Sequence, residues 1–289
     1  MATPHLQRRA VRWVRWGMAG VALSRLIRPQ RPSVLVLSFP RSGSSWVGET
    51  LGRASNALYL REPITQDELA RGQPDALLPV DAAAPPPAFQ AVARKAFSGL
   101  PDFPPHVVKL PQQWRLVKRR QRRLVIKEVM PFACGYLTRR FRPRVVFLVR
   151  HPAAVALSFC ELGWWSAQET GWFELGARQS RLTRVVLDCL EQYPAKQMLS
   201  YEELCLEPAR HFRELFAFAG LTWDEQIENH IAKSTSGGDR SQPYATDRLT
   251  QEMPRAWTRK MTPEALRELR AGYESCPVPW YTAPEEWTL

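Results

Sequence analysis

Residues 34–52, VLVLSFPRSGSSWVGETLG, constrain the fold more than any other stretch of this chain. Val34 to Leu37 is a short apolar run with branched side chains, which suits a buried strand. Ser38 to Ser45 contains Pro40, Gly43 and four serines, and it reads as a loop. From Trp46 to Leu51 the composition becomes helix-compatible. Strand, tight loop and helix start together present unpaired backbone N–H groups and the positive end of a helix dipole, an arrangement that binds phosphate-like anions. Gly43 permits a positive φ and close backbone approach. Ser42, Ser44 and Ser45 add hydroxyls, and Arg41 adds a fixed charge on a planar donor fork. An ATP-binding Walker loop requires GxxxxGK[ST]. Here there is one glycine, no Gly-Lys pair, and Arg in the basic position, which argues against that loop.

A second anion-directed signal lies at 144–152, RVVFLVRHP. Val145 to Val149 is a buried-type strand, and Pro152 suits the first turn of a following helix. Arg150 therefore stands at the carboxyl end of a strand, where open α/β sheets bind ligands. Ser158 follows eight residues later, about two helical turns away. Leu124 to Val129 (LVIKEV) reads as another strand, interrupted by Lys127. Its stem can lie along apolar surface, which is the plain reading of the position. Ala57 to Arg61 is extended and ends at Glu62-Pro63, because the residue before proline avoids the helical region. Glu62 is thus a carboxylate at a strand end. An alcohol is a poor nucleophile until such a positioned base takes its proton.

The string PRSGSSW at 40–46 resembles the 5′-phosphosulfate loop of sulfotransferases, in the Arg-Ser-Gly-Ser-Ser version of the carbohydrate and Golgi-type branch. The cytosolic branch usually carries Lys where Arg41 stands. Arg150 with Ser158 resembles the family's 3′-phosphate motif, although His151 stands where Asp is frequent. The resemblance covers about residues 33–275 and concentrates in these two motifs. It implies one α/β domain with a central, mostly parallel sheet flanked by helices, nucleoside-kinase-like in topology. It implies transfer of a sulfuryl group from 3′-phosphoadenosine 5′-phosphosulfate to a hydroxyl-bearing acceptor, with adenosine 3′,5′-bisphosphate as product and no metal. The loop version leans toward a carbohydrate, glycolipid or glycosylated metabolite.

By the same resemblance the N–H groups of 42–45 hold the phosphosulfate, and Arg41 meets charge on the leaving oxygen. Arg150 and Ser158 anchor the 3′-phosphate, and Trp46 stacks on adenine. Glu62 is the base, and Lys127 stabilises the transferring sulfuryl oxygens. Arg248 and Arg255, ahead of Trp257, are the cofactor-side basic residues of a polar loop at 234–258. Tyr201-Glu202-Glu203-Leu204 corresponds to a structural element of the family. Two other classes stay open. A kinase-like phosphotransferase would need a Mg²⁺-binding carboxylate and ATP; a non-catalytic nucleotide-binding protein would keep Arg41 and Arg150 without turnover.

The net charge of +12 requires an anionic partner. No nucleic-acid motif or aromatic interleaving accompanies the basic run Arg115–Arg123, so nucleic acid is not expected. That run reads as a solvated basic helix face ahead of a strand rather than an acceptor or membrane contact. Cys134, Cys160, Cys189, Cys205 and Cys276 are scattered and odd in number, the usage of reduced thiols in a cytoplasmic protein. The five histidines show no metal-ligand spacing.

Residues 1–31 form a basic N-terminal segment. Its apolar runs fall short of the ~20 residues of a membrane span, and no secretory signal or cleavage site stands out. Over residues 8–31, tryptophans and arginines at helical spacing suit a peripheral membrane contact. Residues 32–289 form the main domain. Within it 64–123 is expected to be an acceptor-side insertion or lid, with 79–89 as a loop or linker. The Ala-, Arg- and Pro-rich composition suits a bacterial source.

Overall fold

The computed structural model describes residues 26–71, 83–116, 118–235 and 253–289. Most of the basic N-terminal segment, and Arg248, therefore lie outside the described residues. Strand β1 (Val34–Ser38) leads into helix α1 (Ser44–Gly52), and β2 (Ala57–Arg61) into α2 (Pro63–Ala70). Helix α3 (Pro87–Phe97) precedes β3 (Arg123–Glu128), followed by α4 (Cys134–Phe141), β4 (Arg144–Val149) and α5 (Pro152–Glu161). Then come α6 (Ala167–Thr170), α7 (Trp172–Leu190), β5 (Lys196–Ser200) and α8 (Tyr201–Leu206). Helices α9 (Pro208–Ala219), α10 (Glu225–Thr235) and α11 (Pro263–Glu274) complete the described α-helices.

The strands form one sheet in the order β2-β3-β1-β4-β5, with every pairing parallel. This is the expected α/β fold with a central parallel sheet. Parallel neighbours cannot be joined by a hairpin, so helical crossovers cover both faces. In β1, Leu35 and Leu37 join one core with Leu58, Leu60, Ile126 and Phe147, under α3, α7 and α11. Val34 and Val36 join the other with Val125, Val146, Phe212 and Phe216, under α1 and α9. That division is the period-two alternation of a strand with both faces buried. Because β1 lies between β3 and β4, the loop after it opens between their carboxyl ends. Because Arg61 pairs with Lys127, Glu62 arrives beside the end of β3.

Two sequence expectations change. The run at 115–123 is solvated only in part: Arg115, Lys118 and Arg120 are exposed, whereas Arg119, Arg122 and Arg123 bond to backbone carbonyls. Arg119 is buried, sits over the Trp114 ring and donates to the Gly99 carbonyl. Arg122 donates to the Gln113 carbonyl, and Arg123 opens β3 and donates to the Pro32 carbonyl at 2.7 Å. These guanidiniums satisfy backbone carbonyls of neighbouring loops, a use that charge pattern alone does not display. The second change is α3, which begins inside the stretch read as a loop or linker. Pro87 stands in its first turn, where the missing N–H costs nothing, and Phe89, Ala93 and Ala96 pack into the core.

The five thiols are free, but Cys134 and Cys189 are not scattered: their Sγ atoms lie 3.1 Å apart, joining the start of α4 to the end of α7. Among the described residues no helix is long and apolar enough to cross a membrane, and no group of three or more His, Cys, Asp or Glu could hold a metal ion.

Candidate active site

The loop between β1 and α1 is built as the sequence requires. Gly43 is the N-cap of α1 at φ 88, ψ 1. A Cβ there would run into the Tyr201 ring, so both the positive φ and the contact demand glycine. Arg41 is also left-handed, at φ 69, a conformation that costs a residue with a Cβ about 1–2 kcal/mol. The Ser42 N–H closes the turn onto the Phe39 carbonyl at 3.3 Å. Ser38 Oγ donates to Ser44 Oγ at 2.7 Å and ties the loop to its strand. The first N–H groups of α1, from Ser44 and Ser45, point out of the helix start with no carbonyl four residues back to receive them. They can receive an anion.

Arg41 reaches across this loop. Its Nε donates to Ser158 Oγ of α5 at 2.8 Å. Arg150, at the end of β4, donates from Nη1 to the Arg41 carbonyl at 3.0 Å. Its guanidinium lies 4.6 Å over the Tyr201 ring, and its Nε is buried without a hydrogen-bond partner. The two basic motifs, separated by a hundred residues of sequence, therefore meet in one half-buried cluster.

Behind Arg150, His151 N-caps α5, its Nδ1 accepting from the Ala153 N–H at 3.2 Å. Its ring is enclosed by Trp257, Tyr281 and Trp287. Burial drives it down to about 3, and the Arg150 and Arg255 charges push the same way, so it is a neutral side chain. Glu202 accepts from the His151 N–H at 3.2 Å and from the Tyr281 hydroxyl. Tyr201 and Glu202 thus take part in the site, although the sequence marks them only as a structural element. Their one local signal is the capping box of Ser200 and Glu203, which starts α8 and fixes where both point.

The other predicted residues divide clearly. Trp46 is a core residue, edge-on to Tyr201 and Phe212, with its indole N–H donating to Ser234 at 3.0 Å. Arg255 is exposed and donates to the Thr288 carbonyl at 2.7 Å, on the His151 side of the molecule. Glu62 and Lys127 are brought together at the ends of β2 and β3 as a buried ion pair. Gly48 of α1 leaves room for the lysine stem, since a Cβ there would come 2.9 Å from Lys127 Cβ. Burial pushes the Glu62 carboxyl up, but the Lys127 and Arg61 charges outweigh it and hold the group down to about 2. Next to them, Glu128 is fully buried, and burial raises it to about 7 against the pull of its bonds to Thr65 and Ile64.

These two carboxyls act on stability in opposite directions. Glu62 falls below its unfolded value of 4.5, so its contribution is complete above pH 4.5 and is lost as pH drops toward 2. Glu128 rises above 4.5, so the fold weakens as pH climbs from 4.5 through 7 and the group ionises. Each change is on the order of 3 kcal/mol. His151, held down to about 3 by burial, opposes Glu128, because its contribution is lost as pH falls below 6.5. The Glu128 share is therefore a difference, and urea denaturation should find the parent losing more stability, or gaining less, between pH 5 and pH 8 than Glu128→Gln. Stabilities of the parent and Glu128→Gln that change in parallel between pH 5 and pH 8 would contradict the Glu128 assignment.

No curated protein matches the sequence. The sulfotransferase domain from the curacin biosynthetic pathway superposes with a TM-score of 0.51 at 17% identity, covering 86% of this chain and 100% of that domain. At that identity the likeness speaks for the fold. The sulfotransferase domain of the Synechococcus PCC 7002 olefin synthase gives 0.49 at 20% identity, over 87% of this chain and 97% of that one. A mouse sulfotransferase complexed with PAP gives 0.48 at 12%, over 94% and 93%. A family model described as "Sulfotransferase family" matches residues 32–225, well over half of the chain and inclusive of both anion motifs. With that match, the chain belongs to the sulfotransferase family.

Proposed function

We propose that this sulfotransferase takes its sulfuryl group from 3′-phosphoadenosine 5′-phosphosulfate and passes it to an acceptor hydroxyl. The observation that carries the reading is the Arg41–Ser158–Arg150 cluster. It places a second cationic anchor within one side chain of an anion-binding helix start. A donor with anions on both 5′ and 3′ oxygens would use both parts; ATP has no group for the second. The N–H groups at the start of α1 hold the phosphosulfate, Arg41 meets the charge that grows on the leaving oxygen, and Arg150 with Ser158 holds the 3′-phosphate. Glu62 takes the acceptor proton.

A carboxylate held at about 2 by an ion pair is a weak base. Lys127 resolves this. When the sulfuryl oxygens compete for its ammonium, Glu62 loses the partner that depresses it and burial then raises its basicity. Base activation and charge stabilisation are in this way coupled to donor arrival. The Arg-Ser-Gly-Ser-Ser loop favours a sugar hydroxyl as acceptor, and five free thiols suit a cytoplasmic setting. The test is calorimetric titration with adenosine 3′,5′-bisphosphate and, separately, with ATP and Mg²⁺. Tight binding of the bisphosphate and weak binding of ATP are expected; the reverse order would replace this reading with a phosphotransferase.

A further inference from the structure

The residue at the N-terminus of a helix ordinarily caps it, its side chain accepting from the second and third N–H groups. Glu62 is the N-cap of α2, at φ 52, ψ 47, yet its side chain makes no cap bond. The carboxylate instead pairs with Lys127 Nζ and accepts from Gln66 Nε2 at 3.0 Å. The cap is supplied from elsewhere. Pro63 has no N–H to satisfy, and the next two N–H groups both turn to Glu128. Ile64 N–H donates to its Oε1 at 2.7 Å and Thr65 N–H to its Oε2 at 3.4 Å. The Thr65 hydroxyl adds a bond to Oε2 at 2.7 Å.

We propose that Glu128 is a positioning residue for the reaction: by capping α2 from strand β3, it frees the Glu62 carboxylate to face Lys127 and the acceptor. This rests on Glu62 acting as the base. The two consecutive residues of β3 divide the task, because successive side chains leave a strand on opposite faces. Lys127 holds Glu62 itself, through its ammonium and through its carbonyl, which accepts the Glu62 N–H at 2.6 Å. Glu128, on the other face, holds the first turn of the helix that follows. Without Glu128 the N–H groups of Ile64 and Thr65 are buried without an acceptor, a state folded proteins avoid. The carboxylate nearest to them in the chain is Glu62, already in the cap position.

The decisive measurement is a crystal structure of Glu128→Leu, which removes both acceptor oxygens. The Glu62 carboxylate is expected to swing from Lys127 onto the Ile64 and Thr65 N–H groups; a Glu62 that stays on Lys127 overturns the proposal. Kinetics supply the second readout, using ³⁵S-labelled phosphosulfate donor and whichever of a panel of phenols and monosaccharides the parent labels fastest. Glu128→Leu should lower kcat about 10- to 100-fold and leave the bisphosphate Kd within about twofold. Glu62→Gln with Glu128→Leu should be no slower than Glu62→Gln alone, because Glu128 acts through Glu62. Independent, multiplying losses contradict that. If Glu62→Gln itself keeps the full rate, the base reading has failed, and the crystal structure still decides where Glu128 directs Glu62. Should Glu128→Leu not fold, Thr65→Val removes one of the three bonds. It is expected to lower kcat about threefold with the same lack of additivity, and an unchanged kcat would count against the proposal.

Discussion

Glu62→Gln is expected to lower kcat for sulfuryl transfer by about 100- to 10,000-fold while the Kd for adenosine 3′,5′-bisphosphate moves less than about twofold. Glutamine keeps the shape of the side chain and its contact with Gln66, but it cannot take a proton. The substitution also leaves the Lys127 ammonium buried beside a neutral amide. Breaking a buried pair by removing one partner costs about 3–5 kcal/mol, so a fall in Tm should accompany the lost rate. Lys127→Met with Glu62→Gln should recover much of that stability and none of the rate. Full activity in Glu62→Gln would remove Glu62 from the chemistry. Lost stability with retained activity would make the pair purely structural.

Arg150→Ala is expected to weaken adenosine 3′,5′-bisphosphate binding by at least about 100-fold. Hydrogen bonds to charged groups are worth about 1.5–3 kcal/mol each, and the planar fork can make two. The informative comparison is with adenosine 5′-phosphosulfate, which has no 3′-phosphate. If Arg150 contacts that phosphate, affinity for the shorter ligand is nearly unchanged and the preference between the two collapses. If both ligands weaken equally, Arg150 acts by holding the Arg41 carbonyl and the loop above it. Calorimetry on the parent and the variant distinguishes these outcomes.

The parts of the site legible in the sequence are those whose geometry is local. Gly43 at a strand-to-helix turn and Arg150 closing an apolar run each declare their backbone position within a few residues; Glu62 before a proline declares its place at a strand end, but its backbone is left-handed at φ 52 rather than extended. Their strand ends then converge because parallel sheets align them. The partnerships were not legible. Glu128 reads as one more residue of a strand, and only the register with β2 puts it under α2. The basic run reads as solvent-facing because charge is usually hydrated, whereas Arg119, Arg122 and Arg123 each find a carbonyl across a loop. The Trp46 indole reads equally as a ligand or a core residue; its Phe212 and Ser234 contacts come from α9 and α10, far along the chain.

Tyr201 carries a consequence for how variants of this protein combine. A Cβ at Gly43 would run into its ring, the Arg150 guanidinium lies over the ring, and Trp46 packs against it in a T-shaped pair. The ring is packing shared by the loop for one anion and the arginine for the other. The two halves are therefore not separable modules that can be exchanged or tuned one at a time. A change at 43 or 150 is transmitted through shared packing, and a smaller residue at 201 would loosen both ends together.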